Sequence, residues 1–269
     1  MSDLELEVQR RELPSEVARL RLIVRAQQAE RDAQMQPLLD AHIEVYAAAI
    51  EALIATHREI GDRTDLDLTG ETRWAAMWLL AGRCLAISRV VLHDLRGGFT
   101  SEGIGSMRAL HEAVQLLSAI SFHLEEDAVR RWLAGEWIPP REVREIQGRK
   151  QALADERMRE LGIEPEGGDL VQLGRDLYGS LSESAHHQRG GFPESVAPAL
   201  REFVYGPHPD ATKRASHVEY GGHLLEEVVI VVGDAFADML GRDYFTQVVR
   251  PLQELMERVR RESPLSDDG

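Results

Sequence analysis

Cysteine occurs once, as Cys84, so the chain can form neither an internal disulfide nor a cysteine-based zinc site. A lone thiol suits a reducing compartment and a small core position on an apolar helix. Lysine is nearly missing too, present only at Lys150 and Lys213, so arginine carries almost all the positive charge. We take this as a genome bias and not as a binding signal. Positive charge is in short supply overall, and the formal net charge is -15. Such a surface repels phosphate backbones and anionic lipids, which lowers the expectation of a general nucleic-acid or membrane-surface binder. The longest apolar stretch starts at Trp74 and is interrupted by Arg83 and Arg89. A bilayer span needs about 20 mostly apolar residues, so none is expected. The acidic opening Met1-Ser2-Asp3-Leu4-Glu5 carries no apolar signal-peptide core. Together these features point to a cytoplasmic protein.

Missing motifs exclude several enzyme classes. The sequence has no Gly-x-x-x-x-Gly-Lys-Ser/Thr loop, no Gly-x-Gly-x-x-Gly after a strand and no Gly-x-Ser-x-Gly elbow. A βαβ enzyme is therefore not expected. Aromatics are sparse, while Leu, Ala, Val, Arg and Glu dominate, a composition that favours helices.

The hydrophobic pattern predicts an all-α protein, a helical bundle of roughly seven to nine helices. Residues 1–34 form an N-terminal amphipathic arm, 35–262 the bundle and 263–269 a frayed tail. The arm carries a thin stripe, Leu13, Val17, Leu20 and Val24, at spacings of four, three and four. It suits packing on a protein partner or on a second copy of the chain. A second helix is expected from about Pro37 to Ile60, ending at Gly61-Asp62. Residues 71–96 and 100–123 are apolar on most sides and are joined by Gly97-Gly98. They predict a central buried antiparallel hairpin, with Thr69 or Glu71 starting its first helix. A short helix over 125–134, another from Pro139-Pro140 to Leu161-Gly162, and a third after Asp169 should follow. The stretch from Gln188 to Asp210 is a long irregular connection in which Phe203-Val204-Tyr205 can be extended. Thr212–Gly241 and Tyr244–Glu262 close the bundle as helices.

Two polar groups stand out. On the second hairpin helix, Arg108, His111, Glu112 and Gln115 gather on about a third of the circumference. A buried Arg108 needs a partner, and Glu112 lies one turn on. The group is a structural ion pair, the wall of a pocket or simply an exposed face. Further along, Tyr178, Ser182 and His186 recur every four residues and could face the Arg108 group across a helix interface. A titratable His beside a hydroxyl and a carboxylate can do acid–base work, or can simply hydrogen-bond within the fold. Glu183-x-x-His186 has the spacing of a di-iron carboxylate helix, but no second such motif exists, so no metal and no cofactor are expected. His217, Glu219 and His223 read as surface or capping residues.

In order and spacing, Arg108-Ala109-Leu110-His111-Glu112 and Tyr178-Gly179-Ser180-Leu181-Ser182-Glu183-Ser184-Ala185-His186 resemble an uncharacterised bacterial all-helical family. Its members carry Arg-x-Leu-x-Glu and then Tyr-x-x-Leu-Ser-x-x-x-His, and the resemblance spans about residues 70–260. That family is similar in outline to the HEPN helical group of toxin ribonucleases and defence components. The resemblance implies one of two functions. One is a non-catalytic interaction or ligand-binding protein in a bacterial stress or defence setting. The other is a metal-independent ribonuclease using His186 or His208 with Arg108 or Arg201, RNA being a partner only in that case. The ribonuclease motif is matched by Arg201-x6-His208, with Glu202 departing from it. A nuclease would need its His and Arg in an exposed cleft with a basic rim.

Overall fold

The computed structural model describes residues 15–121, 126–162, 196–197, 202–203 and 211–240, together with residues 250 and 254. Among these, six helices pack together: α1 Ser15–Gly61, α2 Arg73–Gly97, α3 Thr100–Ser121, α4 Glu126–Leu133, α5 Pro140–Glu160 and α6 Ala211–Leu240. The only β structure among them is a two-residue antiparallel pairing. Val196 of β1 (Val196–Ala197) lies opposite Phe203 of β2 (Glu202–Phe203). Phe203 is therefore extended, as its place in the irregular connection suggests. The helices expected after Asp169 and over Tyr244–Glu262 lie outside the described residues, as does the 263–269 tail.

α1 corrects the expectation of two helices divided near Pro37: one helix of 47 residues runs through that proline. Proline removes one backbone donor and leaves the carbonyl four residues back without its bond. Both Pro37 and Ala33 are exposed, so water can satisfy that carbonyl and the helix need not stop. The stripe from Leu13 to Val24 lies outside the residues whose side chains are described.

Local chemistry fixes the joints. Thr72, and neither Thr69 nor Glu71, caps α2. Its backbone is extended and its hydroxyl accepts from the Ala75 N–H at 3.1 Å. Thr69 is instead held in a turn by Asp67, whose Oδ1 accepts from the N–H groups of Thr69 and Gly70. Gly98 ends α2 in the left-handed conformation at φ 68°, and its N–H returns to the last carbonyls of that helix. The chain then reverses into α3.

α1, α2, α3 and α6 share one core. Ile50 and Leu53, Leu80 and Cys84, Leu110 and Leu117, and Val228, Val232 and Phe236 are all fully buried in it. Each such aliphatic or aromatic side chain contributes about 1.5–3 kcal/mol on burial. The β-branched run Val228–Val232 is helical because its apolar face meets three neighbours at once. α6 gets this close through Gly221 and Gly222. A Cβ at Gly221 would lie 2.8 Å from Leu95, and one at Gly222 would lie 2.7 Å from the Tyr46 hydroxyl.

α2 is less enclosed than its composition suggests, since Leu79 and Val90 on its outer face are 48% and 49% exposed. α1, α3 and α6 cover its other faces, and α4 meets it over a short stretch. By length and hydropathy α2 is apolar enough to cross a bilayer, contrary to expectation, although 56% of its most apolar window is buried inside the protein. Arg83 and Arg89 do not lower its mean hydropathy enough to disqualify it.

α4 and α5 form a second, smaller layer. Ala119 of α3, Ala128 of α4, Ile138 of the connecting turn, and Val143 and Ile146 of α5 make a separate apolar cluster. Ion pairs position this layer: Arg73 of α2 holds Glu126, and Arg131 of α4 reaches both Glu136 and Glu142. The space between this layer and the main core is where the polar face of α3 opens.

Candidate functional site

A cleft of about 350 Å³ lies between α3 on one side and α4, α5 and their connecting turn on the other. His111, Glu112 and Gln115 line it from α3, three of the four polar residues picked out by periodicity. The fourth, Arg108, donates from Nε to Glu112 Oε1 at 3.0 Å, the partner expected one turn away. This pair is half-exposed, with side-chain exposures of 19% and 42%. Arg108 is therefore a positioning group for Glu112, and its pairing leaves His111 and Gln115 as the polar floor.

His111 is only 3% exposed, yet its Nδ1 has no hydrogen-bond partner among the described residues. A buried polar nitrogen left this way costs about 1–3 kcal/mol. Nδ1 sits 3.8 Å from Glu227 Oε2 of α6, too far for a hydrogen bond. Glu227 Oε1 accepts from Gln115 Nε2 at 2.6 Å. One carboxylate thus faces both floor residues from behind. Nε2 of His111 forms no hydrogen bond or ion pair among the described residues. With Gln115 Nε2 turned to Glu227, the amide oxygen of that residue is the group left over.

The negative charge of Glu227 extends further. Burial, reinforced by Glu227, pushes the Cys84 thiol up to about 12, with Arg83 pulling weakly the other way. Burial and Glu227 likewise push the Tyr220 phenol above its ordinary range, and its hydroxyl is buried without a partner among the described residues. Neither group ionises near neutral pH, so neither serves as a nucleophile there. The Ser88 hydroxyl is committed to the Cys84 carbonyl at 2.8 Å.

The remaining walls carry residues that periodicity did not single out. Trp132 of α4 and Trp137 of the turn supply aromatic surface, and Trp137 is 76% exposed. Arg83 of α2 lines the cleft without an ion pair or hydrogen bond among the described residues. Glu136 is held by Arg131 at 3.2 Å. Two signals could have found these residues. One is a tryptophan set in the short polar turn ahead of Pro139-Pro140. The other is the pair Glu226-Glu227, which interrupts the apolar run of α6 between Leu224 and Val231.

Tyr178, Ser182, Glu183, His186, Arg201 and His208 lie outside the described residues, so their expected meeting with Arg108 is neither made nor broken here. His217, Glu219 and His223 fall on α6. The ring of His217 contacts the Lys213 carbonyl at 3.1 Å, and His223 is half-exposed beside Glu226. Among the described residues no three His, Cys, Asp or Glu side chains converge as a metal site would require. No family model, no curated protein and no solved structure matches this chain, so the site is interpreted from its own geometry.

Proposed function

We propose that this protein is a non-catalytic helical binding protein that takes a small molecule in the cleft between α3 and the α4–α5 layer. One observation carries the reading. A nine-tenths-buried histidine with no hydrogen-bond partner among the described residues lines a cavity of ligand size. Ligand pockets usually fall at about 300–1,000 Å³ and combine aromatic walls with a few convergent polar groups. Trp132 and Trp137 are such walls, and His111 and Gln115 are such groups. His111 Nδ1 lies nearest Glu227 behind the floor, so a ligand in the cleft would meet the rest of the ring and the Gln115 amide oxygen. The same reading keeps the N-terminal stripe Leu13–Val24 as the surface for a protein partner or a second copy.

A fragment screen followed by 15N spectra of the tryptophan indoles tests this. Bound fragments should shift Trp132 and Trp137 while leaving Trp74 and Trp78 in place. Hits that shift only Trp74 or Trp78, or no hits at all, would count against it.

The ribonuclease reading is weaker. Arg108 is engaged with Glu112, and the cleft lining sets Glu112 and Glu136 against Arg83 and Arg144, with no excess of positive charge to hold a phosphate backbone. Purified protein should leave RNA intact, and cleavage lost in His186→Ala or His208→Ala without a change in Tm would revive the nuclease.

A further inference from the structure

We infer that the ligand of this cleft is a small planar aromatic that bears N–H donors at one end and a negative charge at the other, as an amino-substituted aryl carboxylate does. The inference rests on the binding reading above and narrows it.

The floor decides the donor end. A histidine lone pair facing a carboxylate is repelled, whereas an N–H facing it is attracted. Glu227 at 3.8 Å therefore favours the tautomer of neutral His111 that carries its proton on Nδ1. Nε2, the other ring nitrogen, is then an acceptor. Gln115 follows the same logic, because its Nε2 is spent on Glu227 and its Oε1 remains an acceptor. His111 and Gln115 are one helical turn apart on α3, so the two acceptors share a face. A floor of two acceptors is complemented by a ligand that donates.

The walls and rim decide the rest. Trp132 and Trp137 offer aromatic surface suited to stacking a flat ring. A cavity of about 150 Å³ holds a benzene ring, so one of 350 Å³ has room for two fused rings with substituents. The carboxylates lining the cleft, Glu112 and Glu136, are each paired with an arginine that is not part of the lining, Arg108 and Arg131. Arg83 has no such partner among the described residues, and a guanidinium in that state takes a carboxylate. Arg144 of α5 also lines the cleft but is engaged in an interaction of its own. The charge left for the ligand to match is thus positive at Arg83 and acceptor-like at the floor.

The test is calorimetric titration of the full chain with 6-amino-2-naphthoate, 2-naphthoate, which lacks the donor, and 6-amino-2-naphthamide, which lacks the charge. The indole spectrum is recorded alongside. 6-Amino-2-naphthoate should bind tightest and shift Trp132 and Trp137. Losing either the amine or the charge should weaken binding about tenfold. The exposed substitution Arg83→Met should erase the difference between carboxylate and carboxamide. Gln115→Met should shrink the difference made by the amine. Trp137→Ala should weaken all three probes together. Equal affinity for the three probes, or a charge preference that survives Arg83→Met, would overturn the ligand class. If no naphthalene probe binds but unrelated fragments shift Trp132 and Trp137, the ligand class fails and the binding reading stands. If nothing shifts them, both fail.

Discussion

Two histidines on neighbouring seams of the bundle have opposite fates. On the seam between α1 and α2, His57 stacks on Trp78 with ring centroids 4.9 Å apart and planes within 5°. Its Nε2 meets the Trp78 carbonyl at 2.8 Å, and Trp78 Nε1 donates to the His57 carbonyl at 3.2 Å. The exchange is reciprocal, and Phe236 of α6 packs near the same ring. On the seam between α3 and α6, His111 is more deeply buried yet holds no hydrogen bond among the described residues. Similar packing can thus lock one imidazole as part of the scaffold and leave another poised. The first arrangement joins helices. The second carries a stability penalty that a substitution would remove.

The largest expected effect follows from dismantling the locked seam. Trp78→Ala removes the stack and the indole bond to the His57 carbonyl, while the backbone carbonyl at position 78 still accepts from His57, and should cost about 3 kcal/mol, roughly 10 °C in Tm by calorimetry. Replacing each histidine by phenylalanine should then move stability in opposite directions. His57→Phe loses its bond to Trp78 and should cost about 1 kcal/mol, whereas His111→Phe removes an orphaned nitrogen and should gain about 1 kcal/mol while losing probe binding. Denaturant midpoints at constant m would measure both.

The pH dependence is a smaller effect with a definite sign. Burial lowers the pKa of His57 below its ordinary 6.5, opposed by the Trp78 carbonyl and helped by Arg58. The unfolded chain therefore binds this proton more readily than the native one. The contribution of His57 is complete above pH 6.5 and declines as pH falls through the lowered native value. Native stability should drop with acidification over that window, and the drop should shrink in His57→Phe. Cys84, fully buried and with its thiol pushed up to about 12, should resist alkylation at pH 8 until denaturant unfolds the chain. Modification at the native rate of a free thiol would contradict that burial. Trp137→Ala should have the smallest effect on stability, within about 0.5 kcal/mol, because the side chain is mostly in solvent.

How much of this was legible in the sequence depended on whether the information was local. The hairpin α2–α3, the Arg108–Glu112 pair and the helix opened by Pro139-Pro140 follow from spacing and capping chemistry within a few residues. The helix through Pro37 was missed because a proline breaks a helix only where its orphaned carbonyl cannot be hydrated, and exposure is a tertiary property. The cap at Thr72 was missed because Asp67 takes Thr69 into a turn first. Periodicity identified His111 and Gln115 as one polar face but could not name Glu227, 112 residues beyond Gln115. Which helix faces which is decided by packing, and Gly221 and Gly222 set it by letting α6 approach. Trp137 and Arg83 were visible as letters but had no period to tie them to α3.

The most direct measurement is the ring tautomer of each histidine, read from long-range 1H–15N correlations of the neutral side chains. His57 should carry its proton on Nε2, donated to the Trp78 carbonyl, and His111 should carry its proton on Nδ1, toward Glu227. Should His111 instead hold its proton on Nε2, the floor of the cleft would be a donor, and the assignment of the ligand built on it would be wrong.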